Sequence, residues 1–143
     1  MQNDYPSHDM LLAALDRLVI RAATDQLPPV CIAVSDAQGE LLLLQRLPGT
    51  PARAVEIATA KAYTSARMGI ATSAFKKRLI NEQQSLRDFI DRGYTSLPGG
   101  VPIKLLGRVV AAVGISGRSP EQDEELAEFF LTGLPSSVEP FKG

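Results

Sequence analysis

The sequence predicts an α+β fold: an antiparallel β-sheet of about five strands flanked by helices. Three observations carry that expectation. Extended segments come in adjacent pairs around short turns, helical patterns stand apart from them, and the order is helix, two strands, two helices, two or three strands, helix. A chain of 143 residues, 45% hydrophobic and 22% charged, suits one domain over residues 1–143, with a polar N-terminal leader and a C-terminal tail.

The first helix is marked by Leu11, Leu12, Leu15, Leu18, Val19 and Ala22 on one stripe, with Ser7 as its N-cap and Asp9 in its first turn. Pro28 and Pro29 stop it, and the β-branched run from Val30 to Val34 predicts a buried strand. Asp36-Ala37-Gln38-Gly39 is a turn sequence leading into a second strand, Leu41 to Arg46.

After Pro48, Gly49 and Pro51, the Ala-rich stretch Ala52 to Met68 predicts a helix with a thin, small-residue face that can pack within the protomer or at a subunit contact. A further helical pattern spans Ser73 to Asp91, with Gly93 to close it. The segment from Leu97 to Leu106 and the run from Val109 to Ser116 then predict a hairpin about a Gly107-Arg108 loop. Ser119-Pro120-Glu121-Gln122 combines an N-cap, an N1 proline and a capping-box glutamine, opening a last helix through Phe130.

Composition excludes several function classes. Fifteen Lys plus Arg against sixteen Asp plus Glu give a net charge of −1, which leaves no basic excess for a nucleic-acid backbone. The apolar runs fall short of the ~20 residues a bilayer span needs, so no membrane association is expected. Met1 to Asp9 holds no Lys or Arg, contains Asp4 and Asp9, and does not read as a secretory signal, so a cytoplasmic location is expected. With Cys31 the only cysteine and His8 the only histidine, no internal disulfide and no structural metal are predicted, and any Ser-His-Asp or Cys-His arrangement would have to recruit His8.

The residues that remain for chemistry each carry two readings. Gly99-Gly100 either lets a ligand approach main-chain N–H groups or simply bends the chain into a strand. Lys61, among small residues on its helix, either presents a cation to a carboxylate ligand or covers apolar surface with its stem. Arg46 at a strand end either forks onto a carboxylate or pairs with a nearby acid. Asp36 reads as a turn former, and Asp123 and Glu124 as residues favouring the first turn of the last helix. An axial donor to haem iron would come from His8, Tyr5, Tyr63, Tyr94, Met10, Met68 or Cys31.

Four segments in order carry a family resemblance: Val34-Ser35-Asp36-Ala37-Gln38-Gly39, Ala58 to Ala66 with Lys61-Ala62 inside, Leu97 to Ile103 around Gly99-Gly100, and Val113 to Gly117 followed by Gln122-Asp123-Glu124. Together they resemble the GlcG/HbpS-like family of haem-degrading or DUF336 domains, related to the C-terminal domain of PduO. The resemblance implies a profilin-like α/β sandwich, a homo-oligomer built from dimers and often octameric, and in some members binding of haem or a related tetrapyrrole. Glu40 stands where many relatives have His, Asn or Arg, and Pro48 replaces an acid in the segment after the second strand, so the ligand preference differs.

The function expected from the sequence is thus an oligomeric small-molecule or tetrapyrrole-binding accessory protein. Haem or a corrinoid would be its cofactor, in a pocket near Arg46, Lys61, Gly99 and Gly100 completed by a neighbouring subunit. Two alternatives stand beside it. One is an enzyme acting on a small oxygenated acid by isomerase, lyase or redox chemistry through Lys61 or a tyrosine, and the other is a non-catalytic partner of a metabolic enzyme.

Overall fold

The computed structural model describes residues 5–141, so Asp4 of the leader and the last two residues of the tail lie outside it. The elements are α1 (His8–Thr24), β1 (Cys31–Asp36), β2 (Leu41–Arg46), α2 (Arg53–Met68), α3 (Thr72–Asn81), a 3-10 turn (Leu86–Phe89), β3 (Gly100–Leu105), β4 (Arg108–Ser116) and α4 (Pro120–Thr132). The caps read from the sequence form as expected. The Ser7 hydroxyl accepts from the Met10 amide, and Ser119 and Gln122 close a full capping box with Pro120 at the helix start.

The strands form one antiparallel sheet in the order β2-β1-β4-β3. The described sheet has four strands, not about five, because the tail that approaches β3 cannot extend the ladder. It makes a single bridge, Leu105 to Val138, with the Glu139 amide donating to the Lys104 carbonyl, and it lies between Pro135 and Pro140, which have no N–H to give.

Two further corrections are local. The helix expected over Ser73 to Asp91 ends at Asn81, where Gln83 turns to φ +53°, and Ser85 and Asp88 start a separate capped 3-10 turn. The hairpin loop is Leu106-Gly107 rather than Gly107-Arg108. Both loop residues have positive φ, 52° and 77°, the conformation a twisted two-residue connection requires, and Arg108 already pairs with Leu105.

Strand alternation separates two unlike faces. Ile32, Val34, Val101, Ile103, Val113 and Ile115 point to one side, where α1 and α4 bury Leu15, Leu18, Leu126 and Phe130 against them. The other side carries small residues, Cys31, Ala33 and Ala112, and is covered by α2 through Ala54, Ala58, Ala62 and Ala66. Gly114 sets how close α2 can lie, because a Cβ there would run into the Ala58 carbonyl and the Ala62 amide. Both are backbone groups of a packed helix and cannot swing away. Gly114→Ala is therefore expected to destabilise the fold by about 1–3 kcal/mol, the usual range for overpacking, read from the urea midpoint.

Candidate functional site

Close packing of α2 decides where the predicted site residues go. Lys61 lies on the sheet-facing side of α2, and Gly100 pairs with Gly114 across β3 and β4. A Cβ on Gly99 would come within 2.7 Å of the Lys61 ammonium, and one on Gly100 would strike the Lys61 carbonyl. The doubled glycine and the lysine are thus brought into contact, and the glycines make room for the helix. The Gly100 amide is already taken, donating to the buried Thr72 hydroxyl at 2.9 Å, and the Gly99 carbonyl accepts from Ile115.

Lys61 does not face water. Its ammonium donates to the Ile115 carbonyl at 2.6 Å and to an Asp123 carboxylate oxygen at 3.0 Å, and the two side chains are 3% and 4% exposed. The other Asp123 oxygen accepts from the Arg118 amide. Burial pulls the Lys61 pKa down and pushes that of Asp123 up, and each charge opposes the shift of the other. Asp123, expected only to favour the first turn of its helix, is thereby the partner that makes a buried lysine tolerable. The pair lies 62 positions apart in sequence, so no local pattern announces it.

Arg46 lies elsewhere. It is exposed at the end of the edge strand β2, opposite Cys31, which in turn opposes Ser116 on β4. Two strands separate β2 from β3, so Arg46 stands roughly 14 Å across the sheet from the glycines at ~4.8 Å per strand. Its charge reaches the buried Cys31 thiol, drawing its pKa down, although burial outweighs this and raises it. The four residues therefore occupy one end of the sheet in two groups, Lys61 with Gly99 and Gly100 below α2, and Arg46 at the free edge.

Arg118 carries a role that no sequence pattern revealed. Its guanidinium makes two hydrogen bonds to the Asp25 carboxylate, at 2.7 and 2.8 Å, and reaches the Pro28 and Ala22 carbonyls, closing the C-terminal end of α1 onto the end of β4. Between α2, α3 and the 3-10 turn, Tyr63 donates to Asp91 at 2.8 Å, while Phe75, Phe89 and Tyr94 meet edge to face or tilted. Asp91 as acceptor raises the Tyr63 pKa, so this phenol holds its proton.

Among the described residues, open space includes three recesses. A recess of about 190 Å³ lies between the start of α2 and the end of β4, one groove of about 170 Å³ runs between Gly69 to Ala74 and the tail, and another of about 470 Å³ lies between α4 and the tail.

A four-stranded antiparallel sheet with a small-residue helix on one face and an apolar helix pair on the other defines a compact α+β domain class rather than one chemistry. The chain belongs to the GlcG/HbpS-like family: residues 7–131 match the family model described as haem degrading protein HbpS-like. A double mutant of Streptomyces reticuli HbpS superposes with a TM-score of 0.81 at 29% identity, covering 90% of this chain and 86% of that one. A 15.0 kDa protein from the dhaT-dhaS intergenic region of Citrobacter freundii is 32% identical over 114 residues, 72% of this chain and 74% of that protein. The corrinoid adenosyltransferase PduO of the same organism is 29% identical over 125 residues, 86% of this chain but only 37% of PduO.

Two stability experiments check the electrostatic reading. Lys61→Met is expected to cost about 3–5 kcal/mol by leaving Asp123 buried and unpaired, and adding Asp123→Leu should restore part of that loss in a double-mutant cycle. Arg118 holds Asp25 below its ordinary value of 3.8. The resulting stabilisation is complete above that value and is lost as pH falls through the lower folded-state value. Melting temperatures from pH 5 to pH 2 should therefore fall less steeply for Asp25→Asn than for the wild type.

Proposed function

We propose that the protein is an oligomeric, small-molecule-binding accessory protein whose ligand is haem or a related tetrapyrrole, a corrinoid among them. The observation that carries the ligand class is the HbpS-like match over residues 7–131, supported by likeness to HbpS at 29% identity. PduO, named for corrinoid chemistry, shares this domain over part of its length and brings corrinoids into the same class.

The residues here fit such a group in a limited way. The groove beside α4 offers Leu131, Leu134, Pro135, Val138 and Phe141 as an apolar wall for a flat macrocycle, while Glu128 and Glu139 on its lining repel propionates. Among iron donors, Cys31 is sealed and Tyr63 is committed to Asp91, whereas His8 is exposed at the start of α1. His8 is not on the lining of that groove; it is the histidine open to solvent that would hold the iron, and a bound haem would supply the redox and light-absorbing centre.

Assembly is supported by β2. Leu41, Leu42 and Leu44 are 46%, 51% and 41% exposed on a free sheet edge, where isolated proteins ordinarily place charges or proline. Glu40 and Arg46 bracket the uncharged run, so antiparallel pairing of two β2 strands sets opposite charges side by side. A second copy of this chain is the partner that suits this edge.

Titration with hemin tests the ligand class. A saturable Soret shift is expected, altered in His8→Ala, with thermal stabilisation at excess ligand. No Soret change, and no stabilisation by hemin or by cobalamin, would remove the tetrapyrrole reading. In sedimentation equilibrium the wild type is expected as a dimer or a larger assembly and Leu44→Glu as a smaller species; a monomeric wild type would remove the assembly.

A further inference from the structure

One exposed side chain is held in a strained position. Ile90, at φ 51° and ψ 46°, occupies the left-handed region that a β-branched residue rarely enters, and it is 92% exposed. Packing does not reward that side chain. Its neighbours hold the turn instead: Phe89 meets Phe75 edge to face at 5.1 Å, the Ile90 amide donates to the Arg87 carbonyl, and Asp91 accepts from the Tyr63 phenol and the Gly93 amide. The isoleucine is therefore presented on a fixed support. Leu106 shares the sign of φ and is 90% exposed, but the two-residue hairpin sets its backbone and it has no branch at Cβ.

Charge around Ile90 is unbalanced. Arg87 and Arg92 flank it in the chain, both are exposed, and among the described residues neither forms an ion pair. The nearby acids are already engaged. Asp88 accepts from the Ser85 amide in its capping box, and Asp91 takes the Tyr63 phenol and stands 3.5 Å from Arg67. Ile90 is thus an apolar knob with a basic rim, and a partner for it needs an apolar pocket with an acidic one.

This chain carries such a pocket beside α4. The groove of about 470 Å³ has Leu131, Leu134, Val138 and Phe141 on its wall, with Glu128 and Glu139 on its lining. α4 holds no Lys or Arg, Glu128 is exposed, and Glu124 one turn earlier keeps a buried carboxylate oxygen without a hydrogen bond among the described residues. Arg17 reaches the groove at Thr132, but it is bonded to the Thr132 hydroxyl and the Phe129 carbonyl and stacked on the Phe129 ring. Acids that repel propionates attract guanidinium groups. We propose that Ile90 of one copy seats in this groove of a second copy, with Arg87 and Arg92 facing Glu128 and Glu139. The contact joins two different surfaces head to tail, so it is separate from β2 pairing and links β2 pairs into larger assemblies. It shares the groove read above as a tetrapyrrole wall, where ligand and Ile90 exclude one another, but it rests on neither of those readings.

Sedimentation velocity on the full chain without hemin tests the contact in the Leu44→Glu background, which sets β2 pairing aside. Leu44→Glu is expected to self-associate reversibly as its concentration rises. Adding Ile90→Gly should weaken that association about tenfold or more, the loss expected from one buried isoleucine. Adding Glu128→Arg should do the same from the other side. In dilute solution Ile90→Gly should melt no lower than its parent, because glycine suits the left-handed region, so lost association is told apart from unfolding. Mixing the two variants is the decisive arm, since the first keeps its groove and the second its knob: a one-to-one complex is expected where each alone is monomeric. The proposal fails if Leu44→Glu stays monomeric at every concentration, which would leave Ile90 to a different protein, if Ile90→Gly associates as its parent does, or if the mixture stays monomeric. Loss of the tetrapyrrole or the β2 reading changes none of these outcomes.

Discussion

The close seating of α2 on the sheet is the constraint from which the rest of this structure follows. Helix and strands approach this nearly because the facing surfaces are alanines and glycines, with Gly100 and Gly114 placing bare backbone under Lys61 and under the Ala58 to Ala62 turn. Such an interface buries little apolar area per residue and gains its stability from many short contacts, so even one added methyl is felt. The same tightness encloses the only long charged side chain on that helix face.

Enclosing Lys61 creates an electrostatic problem, and α4 answers it. Its first turn delivers Asp123 to the ammonium, the Ile115 carbonyl takes a second hydrogen bond, and the Arg118 amide satisfies the remaining carboxylate oxygen. Arg118 then carries the connection outward, since its guanidinium grips Asp25 and the last carbonyls of α1. One continuous set of polar contacts thereby joins α2, β4, α4 and α1. Buried pairs of this kind lend specificity more readily than net stability.

Much of the fold was legible in the chain. Ser7, the Ser119-Pro120-Gln122 box and the bounds of β2 were readable because caps and strand ends depend on a few neighbouring residues. The long second helical pattern misled because apolar spacing continues through Leu86 and Phe89, while the break lies in the backbone at Gln83 and Ser85. The hairpin loop slipped by one residue because glycine was weighed at the wrong turn position, and Leu106 accepts a positive φ at an exposed tip. Of the candidate site, the adjacency of Lys61 to Gly99 and Gly100 was legible through the family pattern, but its meaning was not. Whether a lysine faces a ligand or a carboxylate depends on what arrives from 62 residues away.

Sequence by itself determined the α+β class, the order of the elements and the small-residue face of α2, which rest on local periodicity, turn chemistry and composition, and the family, which rests on four matching segments in order. Tertiary structure alone decided that Lys61 is sealed against Asp123, that two strands lie between Arg46 and the glycines, and that Arg118 grips Asp25 at the end of α1. The physical reason is that burial and hydrogen-bond satisfaction belong to pairs of groups brought together by packing. No single stretch of chain carries that information.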